Sequence, residues 1–174
     1  VAMNSNFLKA CRGEQTEVTP IWLHRQAGRY MPDYHELKGD TPSLKFFTTP
    51  DLAARATLDA QRILGVDAAI MFADLLPLLV PMGLDLDYKQ GVGPIIDNPV
   101  RTEADIEKLA VTPPEEGTGY IVDTIHQILE GLPADVPLIG FAGAPFTLAS
   151  YAIEGQGVRS HIRVKRLMYG APEL

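Results

Sequence analysis

The sequence predicts an α/β fold built from strand–helix–strand units, and three observations predict it. Three short apolar runs, at residues 20–23, 66–72 and 137–141, are bounded by Pro or Gly and are too short for core helices. Stretches with apolar residues at helical spacing lie between and after them. Each run then gives way to polar or glycine-rich sequence, at His24-Arg25-Gln26, Ala73-Asp74 and Ala142-Gly143. Runs that are apolar on both faces suit a parallel sheet covered by helices, and their alternation with helices is the pattern of right-handed crossover units. An open doubly wound sheet and a (β/α)8 barrel both fit. Both place their chemistry just beyond the carboxyl ends of the strands.

The elements follow in order. After the first run, Thr49-Pro50-Asp51 predicts a helix start: a capping hydroxyl, a Pro where no amide hydrogen bond is needed, and an acid near the positive end of the helix dipole. Leu52, Ala56, Ala60 and Ile63 form its apolar stripe and Gly65 its stop. Beyond the second run, residues 84–96 predict an excursion with a small hairpin around Gly91 and Gly93. Thr102 with Asp105 opens a short acidic helix to about Leu109, and residues 112–119 read as a Pro- and Gly-containing loop. A second stripe runs Ile121, Ile125, Ile128, Leu132, with Pro133 beyond it. After the third run, Pro145 opens a helix that carries Tyr151 about two turns in. The chain shows no internal repeat, low-complexity tract or heptad pattern.

Composition narrows the function classes. The 174 residues read as one domain, 1–174, with 46% apolar and 21% charged residues, a globular balance. Fifteen Lys and Arg against twenty-two Asp and Glu give a formal charge of −7, which disfavours a nucleic-acid or anionic-membrane surface. A small anionic ligand stays open, because it responds to local charge. The single cysteine, Cys11, permits no intrachain disulfide and favours a reducing, cytoplasmic setting. No signal segment is legible in residues 1–10, and the longest apolar stretch, 75–84, is broken by Pro77, Pro81 and Gly83 and is too short to span a bilayer.

Three strand ends carry the candidate chemistry. After the first run stand His24-Arg25-Gln26-Ala27-Gly28-Arg29-Tyr30-Met31-Pro32. If this stretch turns helically, Arg25 and Arg29 share a face, and two guanidinium forks match carboxylates bidentately. The Gln26 amide and the backbone at Ala27 and Gly28 offer further donors. The plainer alternative is a solvated arginine pair in a polar loop. Asp74, at the mouth of the second run, is either a cap or a functional anion, and Pro77 three residues on suits a turn. After the third run, Gly140-Phe141-Ala142-Gly143-Ala144-Pro145-Phe146-Thr147-Leu148-Ala149-Ser150-Tyr151 has neither GxGxxG spacing nor a Gly-Lys-Ser/Thr, so no nucleotide loop is read there. Tyr151 is either a hydroxyl donor or a core tyrosine. His24, His35, His126 and His161 lack metal-ligand spacing, Asp85 and Asp87 lack the rest of a calcium loop, and Ser43, Ser150 and Ser160 lack a nucleophile-elbow context. No metal site is predicted.

Together these segments resemble the uroporphyrinogen decarboxylase family. Pro20-Ile21-Trp22-Leu23-His24-Arg25-Gln26-Ala27-Gly28-Arg29-Tyr30-Met31-Pro32 is similar to the family's first signature, and the stretch from Gly140 to Tyr151 to its second. Residues 67–74 resemble the segment that carries the family's essential aspartate, and the likeness runs from about Asn6 to Tyr169. The resemblance implies a (β/α)8 TIM barrel, of which this chain holds the first part, about three parallel strands with their helices. It implies a cofactor-free carboxy-lyase of porphyrin and haem biosynthesis, dimeric when complete. That enzyme removes four acetate carboxyl groups from uroporphyrinogen III to give coproporphyrinogen III. By motif match, Arg25 and Arg29 engage substrate carboxylates, with Gln26, Ala27 and Gly28 in the same binding segment. Asp74 sits at the centre of the macrocycle, and Tyr151 contributes a hydroxyl.

The sequence departs from the family at three points. His35 and Lys38 stand where arginines are usual, and Gln156-Gly157-Val158-Arg159 replaces a stretch of small residues. Family members are also about twice as long, and their second half supplies further strands, a serine and a histidine of the cleft. Two alternatives follow: an inactive truncated piece of the enzyme, or a related cobalamin-dependent methyltransferase. The Arg25–Arg29 signature argues against the methyltransferase.

Overall fold

Two of the three apolar runs enter a parallel ladder, and the first does not. The computed structural model describes residues 5–174. Of the opening segment read for a signal, residues 1–4 lie outside the described residues. The elements begin with α1 (Asn6–Cys11), α2 (Pro32–Lys38), α3 (Ser43–Thr48), α4 (Pro50–Leu64) and β1 (Ala69–Ile70). A 3-10 turn (Leu76–Leu79), β2 (Leu86–Lys89), β3 (Gly93–Ile96), α5 (Glu103–Ile106) and α6 (Pro114–Gly117) follow. The chain continues through α7 (Gly119–Gly131), β4 (Leu138–Ile139), α8 (Pro145–Glu154) and α9 (Ile162–Gly170). They sort into two compact units interleaved along the chain: the described part of residues 1–41 with 45–73 and 120–141, and residues 42–44, 74–119 and 142–174.

In the first unit β1 and β4 pair in parallel, Ala69 opposite Leu138 and Ile70 opposite Ile139. Ala69 N donates to Pro137 O at 2.9 Å and Met71 N to Ile139 O at 3.0 Å. The expected third parallel strand, 20–23, forms no ladder. Among the described residues its one backbone tie is Asp67 N to Ile21 O, 2.9 Å, while Ile21 N donates to Asp67 Oδ2 at 2.8 Å. A carboxylate has taken the amide that a continuing ladder needs, so the segment lies against the lead-in to β1 without becoming a strand.

α4 starts at Pro50 and stops where Gly65, at φ +61°, donates to Gln61 O, 2.9 Å, a left-handed cap that suits glycine. Thr49 precedes it but does not cap it: its hydroxyl donates backwards to Lys45 O at 2.7 Å. The buried face is rotated from the expected stripe. It comprises Ala53, Ala54, Ala56, Thr57, Ala60 and Gln61, while Ile63 is exposed. Small residues allow close approach to the strand, and the buried Thr57 hydroxyl accepts from Phe72 N at 2.8 Å. The stripe on α7 is as expected: Ile128 is fully buried with Ala54 and Met71, flanked by Ile121, Ile125, Leu132 and Leu138. Tyr34, Phe46 and Phe72 close a second apolar cluster, with ring centroids 5.3–5.7 Å apart.

In the second unit the expected hairpin forms. β2 and β3 are antiparallel, with Leu86 opposite Ile96 and Lys89 opposite Gly93, and the turn holds Gly91 at φ +78°. The core joins Leu76, Leu79, Leu84, Leu86, Ile96, Val100 and Ala152. The region expected as a loop contains α6, because Pro114 at its first position and two acids in its first turn stabilise one helical turn. α5 is shorter than expected, ending at Ile106, but its start is a reciprocal capping box between Thr102 and Asp105. Hydrogen bonds from the Thr102 side chain and then from the Arg101 backbone hold the Asp105 carboxyl at about 2, below its ordinary value of 3.8. Because the folded value is depressed, the box stabilises fully above about 3.8 and fails as pH falls towards 2. An NMR titration of Asp105 is expected to give a midpoint near 2. A midpoint at the ordinary carboxylate value would mean the box is open in solution.

Among the described residues, no helix is long and apolar enough to cross a membrane.

Candidate functional site

The segment that follows the first apolar run is a compact turn, not a helix, so Arg25 and Arg29 do not share a helical face. Arg25 adopts φ +57°, one of two non-glycine residues with positive φ among those described. A left-handed non-glycine residue costs on the order of 1–3 kcal/mol and persists only where its surroundings impose it. Here they do. Gln26, next in the chain and 1% exposed, donates from Nε2 to Ala68 O at 2.8 Å and accepts at Oε1 from Ile70 N at 3.1 Å. The Tyr30 hydroxyl donates to the Gln26 carbonyl, and Met31 N closes the turn on Gly28 O at 3.0 Å. Ala27 and Gly28 are half-buried in the bend.

Both arginines are exposed, and neither is ion-paired among the described residues. Burial raises the pKa of the neighbouring Tyr34 hydroxyl, and the positive charge of Arg29 opposes that rise. His35, on α2, was identifiable in the sequence only as a departure from the family. Its Nε2 lies 2.7 Å from Arg29 O, and since a carbonyl can only accept, Nε2 carries the hydrogen. The helix start Met31-Pro32 was the available signal, because Pro at the first position sets His35 one turn in.

The other two predicted residues belong to the second unit. Asp74 is partly exposed just past β1, and its Oδ1 accepts from Leu76 N at 3.0 Å at the entry to the 3-10 turn. Its Oδ2 has no hydrogen bond among the described residues. Tyr151 lies on α8 with its ring against the buried cluster of Leu76, Leu79 and Ala152. A Cβ added at Gly157 would come 3.3 Å from the Tyr151 hydroxyl oxygen, so glycine there leaves that oxygen room.

The loop after α8 is tethered by residues that the motifs do not single out. Glu154 is buried, and its Oε1 accepts from Arg163 N at 2.7 Å and Val164 N at 3.2 Å, capping α9 from outside the helix. The Arg163 guanidinium adds an ion pair at 3.6 Å. Gly155 O accepts from Ile96 N at 2.8 Å, and Gln156 bridges to Ile95. Glu154 is the last residue of α8 and its one acid, yet nothing local in the sequence says that it faces inward.

Chemically, the turn presents two unpaired guanidiniums, while Asp74 presents one uncommitted carboxylate oxygen and Tyr151 a hydroxyl with space beside it. Among the described residues, no group of three or more His, Cys, Asp or Glu is arranged to hold a metal ion.

Residues 2–174 match the family model for uroporphyrinogen decarboxylase. The chain is 52% identical over 171 residues to a uroporphyrinogen decarboxylase of Carboxydothermus hydrogenoformans, covering 98% of this chain and 49% of that protein. It is 50% identical over 172 residues to the uroporphyrinogen decarboxylase of Geobacter metallireducens, covering 99% and 50%. Among solved structures it resembles a methyltransferase from Methanosarcina mazei, with a TM-score of 0.74, 20% identity, and coverage of 98% of this chain and 49% of that one. The chain therefore spans about half the length of the curated relatives it matches.

Proposed function

The chain belongs to the uroporphyrinogen decarboxylase family, and from that premise we propose that the complete protein is the decarboxylase itself. It converts uroporphyrinogen III to coproporphyrinogen III by removing four acetate carboxyl groups as CO₂, without a metal or organic cofactor. The observation that carries this reading is identity of about half over essentially the whole chain. The likeness to a methyltransferase, at 20% identity, speaks to the fold alone and supports no second activity. The complete fold is a closed (β/α)8 barrel with its cleft at the carboxyl ends of the strands, active as a cytoplasmic homodimer.

The residue types suit the chemistry. Protonation of the pyrrole α-carbon next to the ring carbon that bears the acetate gives a cation. The electron pair of the breaking C–CO₂ bond flows into that cation to give an exocyclic methylene. Protonation of the methylene carbon and loss of the first proton from the ring then leave a methyl on a neutral pyrrole. Asp74 accepts hydrogen bonds from the pyrrole N–H groups at its free oxygen. Its charge stabilises the cation more than the neutral ground state, which is what lowers a barrier. Arg25 and Arg29 hold peripheral carboxylates, and Tyr151 adds a hydroxyl. A protein of net charge −7 thus binds a polyanion by leaving its local cations unpaired.

Arg25→Lys and Arg29→Lys in the complete enzyme test the binding assignment. Lysine keeps the charge but loses the planar fork. Losing one charged, bidentate contact is worth about 1.5–3 kcal/mol, so kcat/KM is expected to fall about 10- to 100-fold, chiefly through KM. Steady-state decarboxylation kinetics read this directly. Unchanged kcat/KM in both variants would leave the arginines as a solvated surface pair.

A further inference from the structure

We propose that Gln26 is a positioning residue for the substrate-binding turn and that its side chain never touches substrate; this rests on the decarboxylase reading. The argument begins with the two edges of β1. On one edge Ala69 N and Met71 N donate to β4, to Pro137 O and Ile139 O. Groups at alternating positions face the other edge. There the parallel neighbour that the first apolar run was expected to supply is missing, which would strand the Ala68 carbonyl and the Ile70 amide. Both are satisfied by one side chain, the Gln26 amide, at 2.8 and 3.1 Å. A primary amide reproduces the donor–acceptor pair of a peptide group, so Gln26 stands in for one residue of the absent strand.

That commitment has two consequences. The amide is 1% exposed and engaged at both ends, so it has nothing left to offer a ligand. It also fixes the chain one residue from Arg25, whose φ of +57° needs an external constraint. Asp67 fixes the other side of the turn through Ile21 N at 2.8 Å. The Arg25 backbone is therefore bracketed by two side-chain clamps, one onto β1 and one from its lead-in.

The test uses the complete enzyme. Gln26→Leu keeps the size and removes both hydrogen bonds; KM for uroporphyrinogen is expected to rise about 10-fold or more. In the same variant the Ile70 amide is expected to lose its protection from hydrogen exchange. Gln26→Glu separates positioning from general damage. The neutral acid is isosteric with the amide and can still donate to Ala68 O, whereas the carboxylate cannot. Burial and that acceptor both favour the neutral form, so the introduced carboxyl titrates above its ordinary value. The ratio of variant to wild-type kcat/KM is expected to be highest at low pH and to fall as pH rises through that value. A raised KM in Gln26→Leu with Ile70 still protected would make Gln26 a direct ligand and overturn the proposal, as would a pH-independent ratio in Gln26→Glu. Should Gln26→Leu fail to fold, the Gln26→Glu profile decides. If the wild-type enzyme itself does not decarboxylate uroporphyrinogen, the activity reading fails, and Ile70 exchange still reports whether the clamp exists.

Discussion

Asp74→Asn in the complete enzyme is expected to lose roughly 10²-fold in turnover, the scale of one preorganised electrostatic interaction removed from a transition state. The position makes the comparison clean. Asp74 Oδ1 accepts from Leu76 N at 3.0 Å, and an asparagine Oδ1 can accept the same bond, so the turn entering residues 76–79 survives. What changes is Oδ2, which becomes an NH₂ donor facing the pyrrole N–H groups that the carboxylate would accept from. The charge that would stabilise the cation in the proposed mechanism goes with it. Asp74→Glu keeps the charge but moves it by one methylene, and is expected to retain more turnover than the asparagine variant. Thermal unfolding of Asp74→Asn should match the wild type while its kcat collapses. Near-wild-type turnover would reduce Asp74 to its local role, accepting from Leu76 N.

How much of this is legible in the sequence depends on how local each determinant is. The hairpin, the start of α8, the stop at Gly65 and the α7 stripe all rest on short-range rules. Glycine in the left-handed region, proline at the first helical position and period-3.6 burial each leave their mark within a few residues of the feature they specify. The first apolar run is the instructive exception. Composition marks 20–23 as strand-like, but whether it pairs depends on what Asp67 and Gln26 do across 40 or more residues of sequence. A side chain that imitates a peptide group leaves no periodic signal. The rotated face of α4 has the same origin: Thr57 is polar, and is buried because Phe72 N needs an acceptor. At the candidate site, residue identities are legible from the motif, but the geometry is not. Arg25 and Arg29 suggest a helical face, and the chain instead turns through a left-handed arginine.

The 174-residue chain by itself is expected to produce no coproporphyrinogen and to associate in solution. A closed barrel completes its hydrogen-bonded ring with eight parallel strands, whose side chains fill the interior in layers. The described residues contribute two paired parallel strands, each of two residues. Gln26 covers the outer edge of β1, but nothing equivalent among the described residues covers the outer edge of β4, and such edges recruit other chains. The surface is correspondingly apolar, with Trp22, Leu23, Phe141, Phe146, Ile162, Met168 and Tyr169 all more than a third exposed. Scattered apolar residues are normal on a surface, but in the proposed barrel side chains of this size would be covered by the further strands and helices. Light scattering on the purified chain should report species larger than a monomer, and a decarboxylation assay should show no turnover. Adding the separately expressed remainder of the protein is expected to restore both a defined dimer and activity. A cooperatively unfolding monomer of this length that decarboxylates uroporphyrinogen would overturn the barrel assignment, because a cleft at the strand ends cannot exist without the strands that frame it.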